Sequence, residues 1–232
     1  MHISYTSFQS GTKKSTIDPP RSLTLKINFY FISNNKDIRL WGRRSNLLKF
    51  KFKGYGKRAA VAVFRRARLS VEELLNSLRS VDGTDFQLLN LEAVAGKEHV
   101  YFAILNVLHA FKLKKNISKN LGMELLLYAS AQRQIKTAIE RVGAKEGRPV
   151  VLVAIGPDDK GVENFMVKAS RFFEGKMENS GLEEWDKEKI KRLKEIFEIS
   201  EEEMEALGED PPFEAVKKLI IERMALLSVR GS

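Results

Sequence analysis

Two apolar runs of six residues, Ala59–Phe64 and Val150–Ile155, most constrain what this chain can fold into. Each has the length of a buried β-strand, and the second lies between Pro149 and Gly156-Pro157, which favour turns. The chain has no longer apolar run, whereas a membrane-spanning helix needs about 20 apolar residues. Its N-terminus also lacks the apolar core of a secretory signal. We therefore expect a soluble, cytoplasmic protein that contains a sheet and does not enter the membrane.

The residues around the first run predict a β-hairpin. Leu48, Phe50 and Phe52 alternate with lysines, as in a half-buried strand, and Gly54-Tyr55-Gly56 then forms a turn before Ala59–Phe64. We interpret this Gly-x-Gly as a hairpin turn rather than a phosphate loop, because no helix follows it and no third glycine is present.

Helix signals follow along the rest of the chain. Apolar residues recur at helical spacing in three segments, and serines begin two capping boxes, Ser70 with Glu73 and Ser200 with Glu203. Strands and helices are mixed without strict alternation, so the predicted fold class is α+β, a mixed β-sheet packed by helices with a helical C-terminal section. The further predictions are a strand over Gln87–Leu91, helices over Val100–Phe111, Ala131–Val142, Asp158–Ser170 and Lys187–Phe197, a last helix after Pro211-Pro212, and a strand rather than a helix over Met123–Tyr128.

Charge divides the chain into three parts. The 40 Lys and Arg exceed the 30 Asp and Glu by +10, with +6 in residues 1–46, +10 in 47–157 and −6 in 158–232. A basic body followed by an acidic section favours a polyanionic partner for the first and a different partner for the second. Charged surfaces that only solvate the fold remain an alternative.

Residues 1–46 differ in composition from the rest, although Leu23–Phe31 alternates like a strand. We expect residues 1–46 to be an extension or a misassigned start, and 47–232 to be a single domain.

The residues give little support to an enzyme. Cysteine is absent, which excludes disulfides, thiolate metal sites and cysteine nucleophiles. The three histidines, His2, His99 and His109, are not spaced as metal ligands, and neither a nucleophile elbow nor a phosphate-binding loop is present. We predict no catalytic residue, no metal and no cofactor.

The strongest functional signal is the segment from Lys112 to Lys136. Four lysines, at 112, 114, 115 and 119, cluster across a helix end and its loop. On the predicted elements Tyr128 and Ser130 then end a strand, and Arg133 opens a helix whose N-terminus could bind an anion. Tyr128 could stack on a base of single-stranded RNA. Alternatively, the lysines complement the helix dipole and Arg133 is only solvated.

This segment resembles the signature of a known family. Asn116–Lys119, Gly122–Ser130 and Arg133–Ile135 are similar to the central block of the small kinase-binding subunit of the KEOPS complex, whose eukaryotic relatives are the PRPK-binding proteins. The resemblance extends from about Leu47 to the C-terminus. It leaves residues 1–46 outside the family pattern.

The resemblance implies a non-catalytic role in tRNA modification. KEOPS installs threonylcarbamoyl on the adenosine next to the anticodon of tRNAs that read A-starting codons. Its small subunit binds the N-terminal lobe of the kinase-like ATPase subunit and captures the 3′ CCA end of tRNA. The alternatives are a stand-alone RNA-binding protein without a kinase partner, which capture of a kinase-like subunit would exclude, and an enzyme acting on nucleotides, which turnover by the purified chain would reveal.

Two sets of residues follow from the basic segment and the resemblance together. For tRNA we expect contacts from Lys112, Lys115, Lys119, Tyr128, Ser130, Arg133 and Lys136. For the kinase-like partner we expect the last helix to supply an interface, or else to pack in the chain's own core, through Val216, Leu219, Ile220, Arg223, Met224 and Leu227.

Overall fold

A computed structural model of the protein describes residues 47–78 and 83–229. The predicted strand over Leu23–Phe31, and with it the prediction of an extension over residues 1–46, lies outside this range. The described strands are β1 (Leu48–Phe52), β2 (Lys57–Phe64), β3 (Arg66–Ala67), β4 (Asp85–Asn90), β5 (Val150–Gly156) and β6 (Phe173–Glu174).

The main sheet has the strand order β1-β2-β5-β4, and every neighbouring pair is antiparallel. The two six-residue apolar runs are its central strands and pair with Val61 opposite Val153. A 3₁₀ turn at Lys53–Tyr55 closes the β1–β2 hairpin, and β3 pairs with β6 in a second, two-stranded sheet. The predicted hairpin and the strands at β4 and β5 are confirmed.

The central strands are continuous apolar runs because helices cover both faces of the sheet. On one face Phe64 and Leu152 lie in the same core cluster as Phe165 and Met166 of the helix that follows β5. On the other face Phe50 and Phe52 lie against Tyr101, with ring centroids 5.3 and 5.2 Å from it. The edge strand β1 alternates instead, because Lys49 and Lys51 point to ion pairs with Glu163 and Asp159.

Helices form most of the rest of the described chain. The helices predicted from periodicity and capping are present, and both capping boxes form as expected, with Ser70 and Ser200 accepting from the backbone N–H of Glu73 and Glu203. The helices are α1 (Val71–Ser77), α2 (Gly96–Lys112), α3 (Leu121–Ala129), α4 (Ile135–Val142), α5 (Asp159–Ser170), α6 (Lys187–Phe197), α7 (Glu201–Leu207) and α8 (Pro212–Val229).

Two helix starts differ from the sequence prediction by four residues, since the helix predicted from Val100 begins at Gly96. The helix expected from Ala131 begins at Ile135, with Gln134 as its N-cap residue. Ala131 has a φ of 52°, a left-handed conformation in which a right-handed helix cannot continue. The chain therefore turns at Ala131 before α4 starts.

The α+β fold class is confirmed, since a four-stranded sheet is combined with many helices, but the described sheet is antiparallel rather than mixed. No helix in the described ranges is both long enough and apolar enough to cross a membrane.

Candidate nucleic-acid interface

The basic segment begins where α2 ends. Lys112 is the last residue of α2, and Lys114 has a φ of 56° while its backbone N–H donates to Phe111 O at 3.2 Å. Lys115 N–H donates to Ala110 O at 2.9 Å, so the last carbonyls of α2 are satisfied by a left-handed turn. The reversal leaves the side chains of Lys112, Lys114, Lys115 and Lys119 exposed.

A buried carboxylate holds the loop that follows. Glu124 in the first turn of α3 is fully buried, and its two carboxylate oxygens each accept from the backbone N–H of Ile117 at 3.0 Å. Its Oε2 also accepts from Ser118 N–H at 2.6 Å. These charge-assisted bonds fix the loop between α2 and α3. Because Glu124 occupies these two N–H groups, they are not available to a bound anion.

The strand predicted over Met123–Tyr128 is wrong, since this segment is helix α3. Asn120 caps it by accepting from Met123 N–H at 2.8 Å. The helix packs against β4 so closely that a Cβ at Gly122 would lie 2.1 Å from Phe86 O. Helix α3 packs against α2, α4, α8 and β4, and nearly all of its side chains are buried and apolar. It therefore lacks the one-sided apolar pattern that identifies a surface helix.

This change of element moves two predicted site residues into the core. Tyr128 is 2% exposed. Its burial is the main cause that raises the pKa of its phenol, and the negative charge of Glu124 raises it further. Ser130 is also fully buried and lies at the C-terminus of α3, where its hydroxyl donates to Leu127 O at 3.0 Å. The expectation that Tyr128 stacks on a base and Ser130 binds an anion at a helix N-terminus is therefore corrected.

The remaining predicted tRNA-binding residues are on the surface. Arg133 and Lys136 are exposed at the other end of α3, and Arg133 Nη1 donates to Leu227 O at 3.4 Å. Since α3 has 9 residues, the lysine loop and Arg133 lie at opposite ends of a helix of about 13 Å. The term basic surface is used below for Lys112, Lys114, Lys115, Lys119, Arg133 and Lys136.

In the part of the chain that the structure describes, the cations of the basic surface are not paired with carboxylates, whereas several cations of the acidic section are. Within residues 47–78 and 83–229, its six cations form no ion pair with a carboxylate. In the acidic section, by contrast, Lys194 pairs with Glu201 and Lys218 with Glu209. Cations without carboxylate partners are available to phosphates. The apolar side chains of Ile117 and Ile135 lie beside these cations and are partly exposed.

The residues predicted as a partner interface are mostly in the core. Val216, Ile220 and Met224 are fully buried, and Leu219 and Leu227 are each 5% exposed. The apolar stripe of α8 is wide because α8 packs against α2, α3, α6 and α7 at once. The sequence left open whether these apolar residues form a partner interface or pack in the chain's own core, and the structure shows that they pack in the core.

Arg223 of the same set is held at the surface of α8. Its Nη2 donates to both carboxylate oxygens of Glu203, at 3.0 and 2.9 Å, and to Glu198 O at 2.9 Å. The guanidinium therefore ties α8 to α7 and to the end of α6.

The roles of two residues near the basic surface were not predicted from the sequence. Glu124 lies within the segment predicted as a strand, and the only sequence feature that indicates a role for it is a single carboxylate among apolar residues. Tyr55 was read only as part of a turn, yet its hydroxyl lies 3.2 Å from His109 Nδ1 and its ring lies under Lys112 Nζ.

No three His, Cys, Asp or Glu side chains in the described ranges cluster as metal ligands. His99 is instead a core residue. Its Nδ1 accepts from Ala95 N–H at 3.0 Å and its Nε2 donates to Ala129 O at 2.8 Å.

Residues 70–228 match the family described as kinase binding protein CGI-121. The chain belongs to this family. The resemblance noted in the sequence is thereby confirmed, and the CGI-121 match contains the whole basic surface and nearly all of α8. It begins after the β1–β2 hairpin, so Tyr55 lies outside the matched region.

Two relatives support the CGI-121 assignment. The regulatory protein Cgi121 of Methanocaldococcus jannaschii is 36% identical over 149 residues, which cover 64% of this chain and 86% of that protein. The KEOPS complex subunit Cgi121 of Pyrococcus abyssi is 31% identical over 108 residues, which cover 46% of this chain and 57% of that protein.

Proposed function

We propose that this chain is a non-catalytic subunit of a KEOPS complex, that it binds the kinase-like ATPase subunit, and that it recruits tRNA through the 3′ CCA end. The observation that carries the RNA part is the basic surface, in which six exposed cations lack carboxylate partners within the described residues. Support for the complex comes from the CGI-121 family and from the relative named as a KEOPS subunit.

The geometry suits a short single strand better than a duplex. Lysines lie at one end of α3 and Arg133 at the other, separated by a helix of about 13 Å, a span that a few nucleotides can bridge. Long cationic side chains contact phosphates wherever the strand runs, and the exposed Ile117 and Ile135 can lie under bases. We therefore assign the phosphate contacts to Lys112, Lys115, Lys119, Arg133 and Lys136.

The decisive experiment compares an intact tRNA transcript with one that lacks its CCA end. We expect the intact transcript to bind more tightly, and expect Arg133→Ala and Lys119→Glu to remove most of that difference. Lys191→Glu, which alters an exposed lysine on α6, serves as the control. Equal binding of the two transcripts would exclude capture of the CCA end while leaving general RNA binding open.

The kinase part is tested separately by capture of the purified kinase-like ATPase subunit. Binding in the absence of RNA distinguishes a KEOPS subunit from a stand-alone RNA-binding protein. Failure of capture with a folded chain would support the stand-alone alternative.

A further inference from the structure

The tip of the β1–β2 hairpin lies against the last turns of α2. Tyr55 Oη lies 3.2 Å from His109 Nδ1, and Lys112 Nζ lies 5.4 Å from the centroid of the Tyr55 ring and 3.5 Å from Gly54 O. Two elements that are more than 50 residues apart therefore present one set of side chains. We call Tyr55, His109 and Lys112 the hairpin-tip cluster.

The cluster is not part of the hydrophobic core. Phe50 and Phe52 of the hairpin are buried against Tyr101, whereas Tyr55 is half-buried and His109 and Lys112 are exposed. An aromatic ring at an exposed tip offers a surface to a ligand without any loss of core packing.

The backbone on either side of Tyr55 is open to its surroundings. Gly54 and Gly56 flank it, and a Cβ at either glycine would meet no atom within 4 Å. Gly56 has a φ of +60°, which explains glycine at that position, but Gly54 has no such requirement. The space beside the backbone on both sides of Tyr55 is therefore open, while Lys112 Nζ lies over one face of the ring and His109 lies at its edge.

The charge around the tip favours a polyanion. Lys53 on the hairpin is exposed and forms no ion pair with a carboxylate among the residues that the structure describes. On the α2 side, Lys112 begins the lysine run of the basic surface. The cluster is therefore continuous with the basic surface and adds an aromatic ring to it.

We propose that the hairpin-tip cluster is a nucleotide-binding site, in which the Tyr55 ring stacks on a base of the bound RNA, and His109, Lys112 and the neighbouring Lys53 contact its phosphates. This inference rests on the proposed RNA binding and replaces the buried Tyr128 with Tyr55 as the stacking residue. Aromatic rings beside cations are the usual means of holding single-stranded nucleic acid, because every base has a face that can stack.

The test measures binding of a tRNA transcript to the full chain and to variants at the tip. Tyr55→Ala is expected to weaken binding about tenfold, within the range measured for loss of one base–aromatic stack. Tyr55→Phe keeps the ring and loses the hydroxyl contact with His109, so it should bind like the wild type. Lys53→Glu, at an exposed side chain, should make the plot of log affinity against log salt concentration less steep by about 0.7, the contribution of one phosphate contact on a single strand. Lys191→Glu again serves as the control.

The outcomes separate this inference from the proposed function. If the wild type binds no tRNA, this inference and the RNA part of the proposed function are both wrong. If Lys119→Glu weakens binding while Tyr55→Ala and Lys53→Glu do not, the hairpin-tip site is wrong and the proposed function stands. Equal losses in Tyr55→Phe and Tyr55→Ala would overturn stacking. Loss of kinase capture without loss of tRNA binding in the Tyr55 variants would assign the tip to the protein partner and overturn the site. Thermal melts of each variant establish that the fold is retained.

Discussion

At the scale of single residues, Glu124 shows how a buried charge can shape an exposed surface. Its carboxylate is removed from solvent, yet three hydrogen bonds from the backbone N–H groups of Ile117 and Ser118 compensate that cost. The lysines themselves only need to be exposed and charged. Their arrangement relative to α3 is set by the loop backbone, and therefore by Glu124.

We expect Glu124→Gln to loosen this loop. The neutral amide oxygen accepts more weakly, and the amide NH₂ has no acceptor in the loop backbone that it would face. The free energy of unfolding should fall by about 2 kcal/mol, the contribution of a hydrogen bond to a charged group. Hydrogen–deuterium exchange should rise at Ile117 and Ser118, and tRNA affinity should fall. Glu140→Gln, on the exposed side of α4, is the matched control. Unchanged exchange at Ile117 would show that Glu124 does not hold the loop.

His99 is the second residue whose burial has a measurable consequence. Burial, together with the charge of Lys189 and against the bond to Ala129 O, lowers the pKa of this imidazole from 6.5 to about 4. The unfolded chain therefore binds a proton at a pH where the folded chain does not, and stability falls as the pH drops from about 6.5 towards 4.

Urea unfolding at pH 7.5 and pH 5 measures this effect. The pKa difference corresponds to about 2 kcal/mol lost between the two pH values. His99→Gln alters the buried contacts of the imidazole, so we expect it to be less stable than the wild type at pH 7.5. Because glutamine does not titrate, the variant should lose less stability than the wild type between pH 7.5 and pH 5. An equal loss in the wild type and the variant would assign the pH dependence to other groups.

At the scale of secondary-structure elements, the sequence was most informative where an element has a clear boundary. Lys187–Phe197 was predicted without error because its apolar residues recur on one face and Asp186 caps it by accepting from Lys189 N–H. The central strands were predictable because they are short, apolar and bounded by turn residues. Helix α3 was not, because burial on all sides removes the period that distinguishes a helix from a strand.

The same reasoning explains which part of the candidate site could be predicted. Exposure of Lys112, Lys115 and Lys119 follows from the residue type, since lysine is rarely buried. The burial of Tyr128 depends on how α3 packs against its neighbours, which the sequence of α3 alone does not determine. Tyr55 was missed because its contact with His109 joins two segments that are distant in the chain.

Helix α8 gives the prediction at this scale. Because Ile220 and Met224 are fully buried, Ile220→Glu combined with Met224→Glu places two charges in the core. The cost exceeds the stability of a typical domain, so we expect loss of the cooperative thermal transition seen by circular dichroism. Val167→Glu, at an apolar side chain that is 52% exposed on α5, should melt like the wild type. A folded double variant that fails only to bind the kinase-like subunit would instead restore α8 as the interface.

At the scale of the whole molecule, the net charge of +10 describes the protein poorly. Residues 47–157 carry a balance of +10 and residues 158–232 a balance of −6. Several cations of the acidic section are paired locally, as Arg223 is with Glu203, while those of the basic surface have no carboxylate partner within the described ranges. Binding to RNA should therefore depend on where a charge lies rather than on the total.

Two double variants with the same net charge test this dependence. Lys115→Glu with Lys119→Glu and Lys187→Glu with Lys191→Glu change the charge equally, but only the first pair lies on the basic surface. The plot of log affinity for tRNA against log salt concentration should become less steep by about 1.4 in the first variant, since each phosphate contact on a single strand contributes about 0.7 to its steepness. The second variant should keep the slope of the wild type, because its lysines contact no phosphate. Equal losses in the two variants would mean that the protein attracts RNA through its overall field and has no localised binding surface.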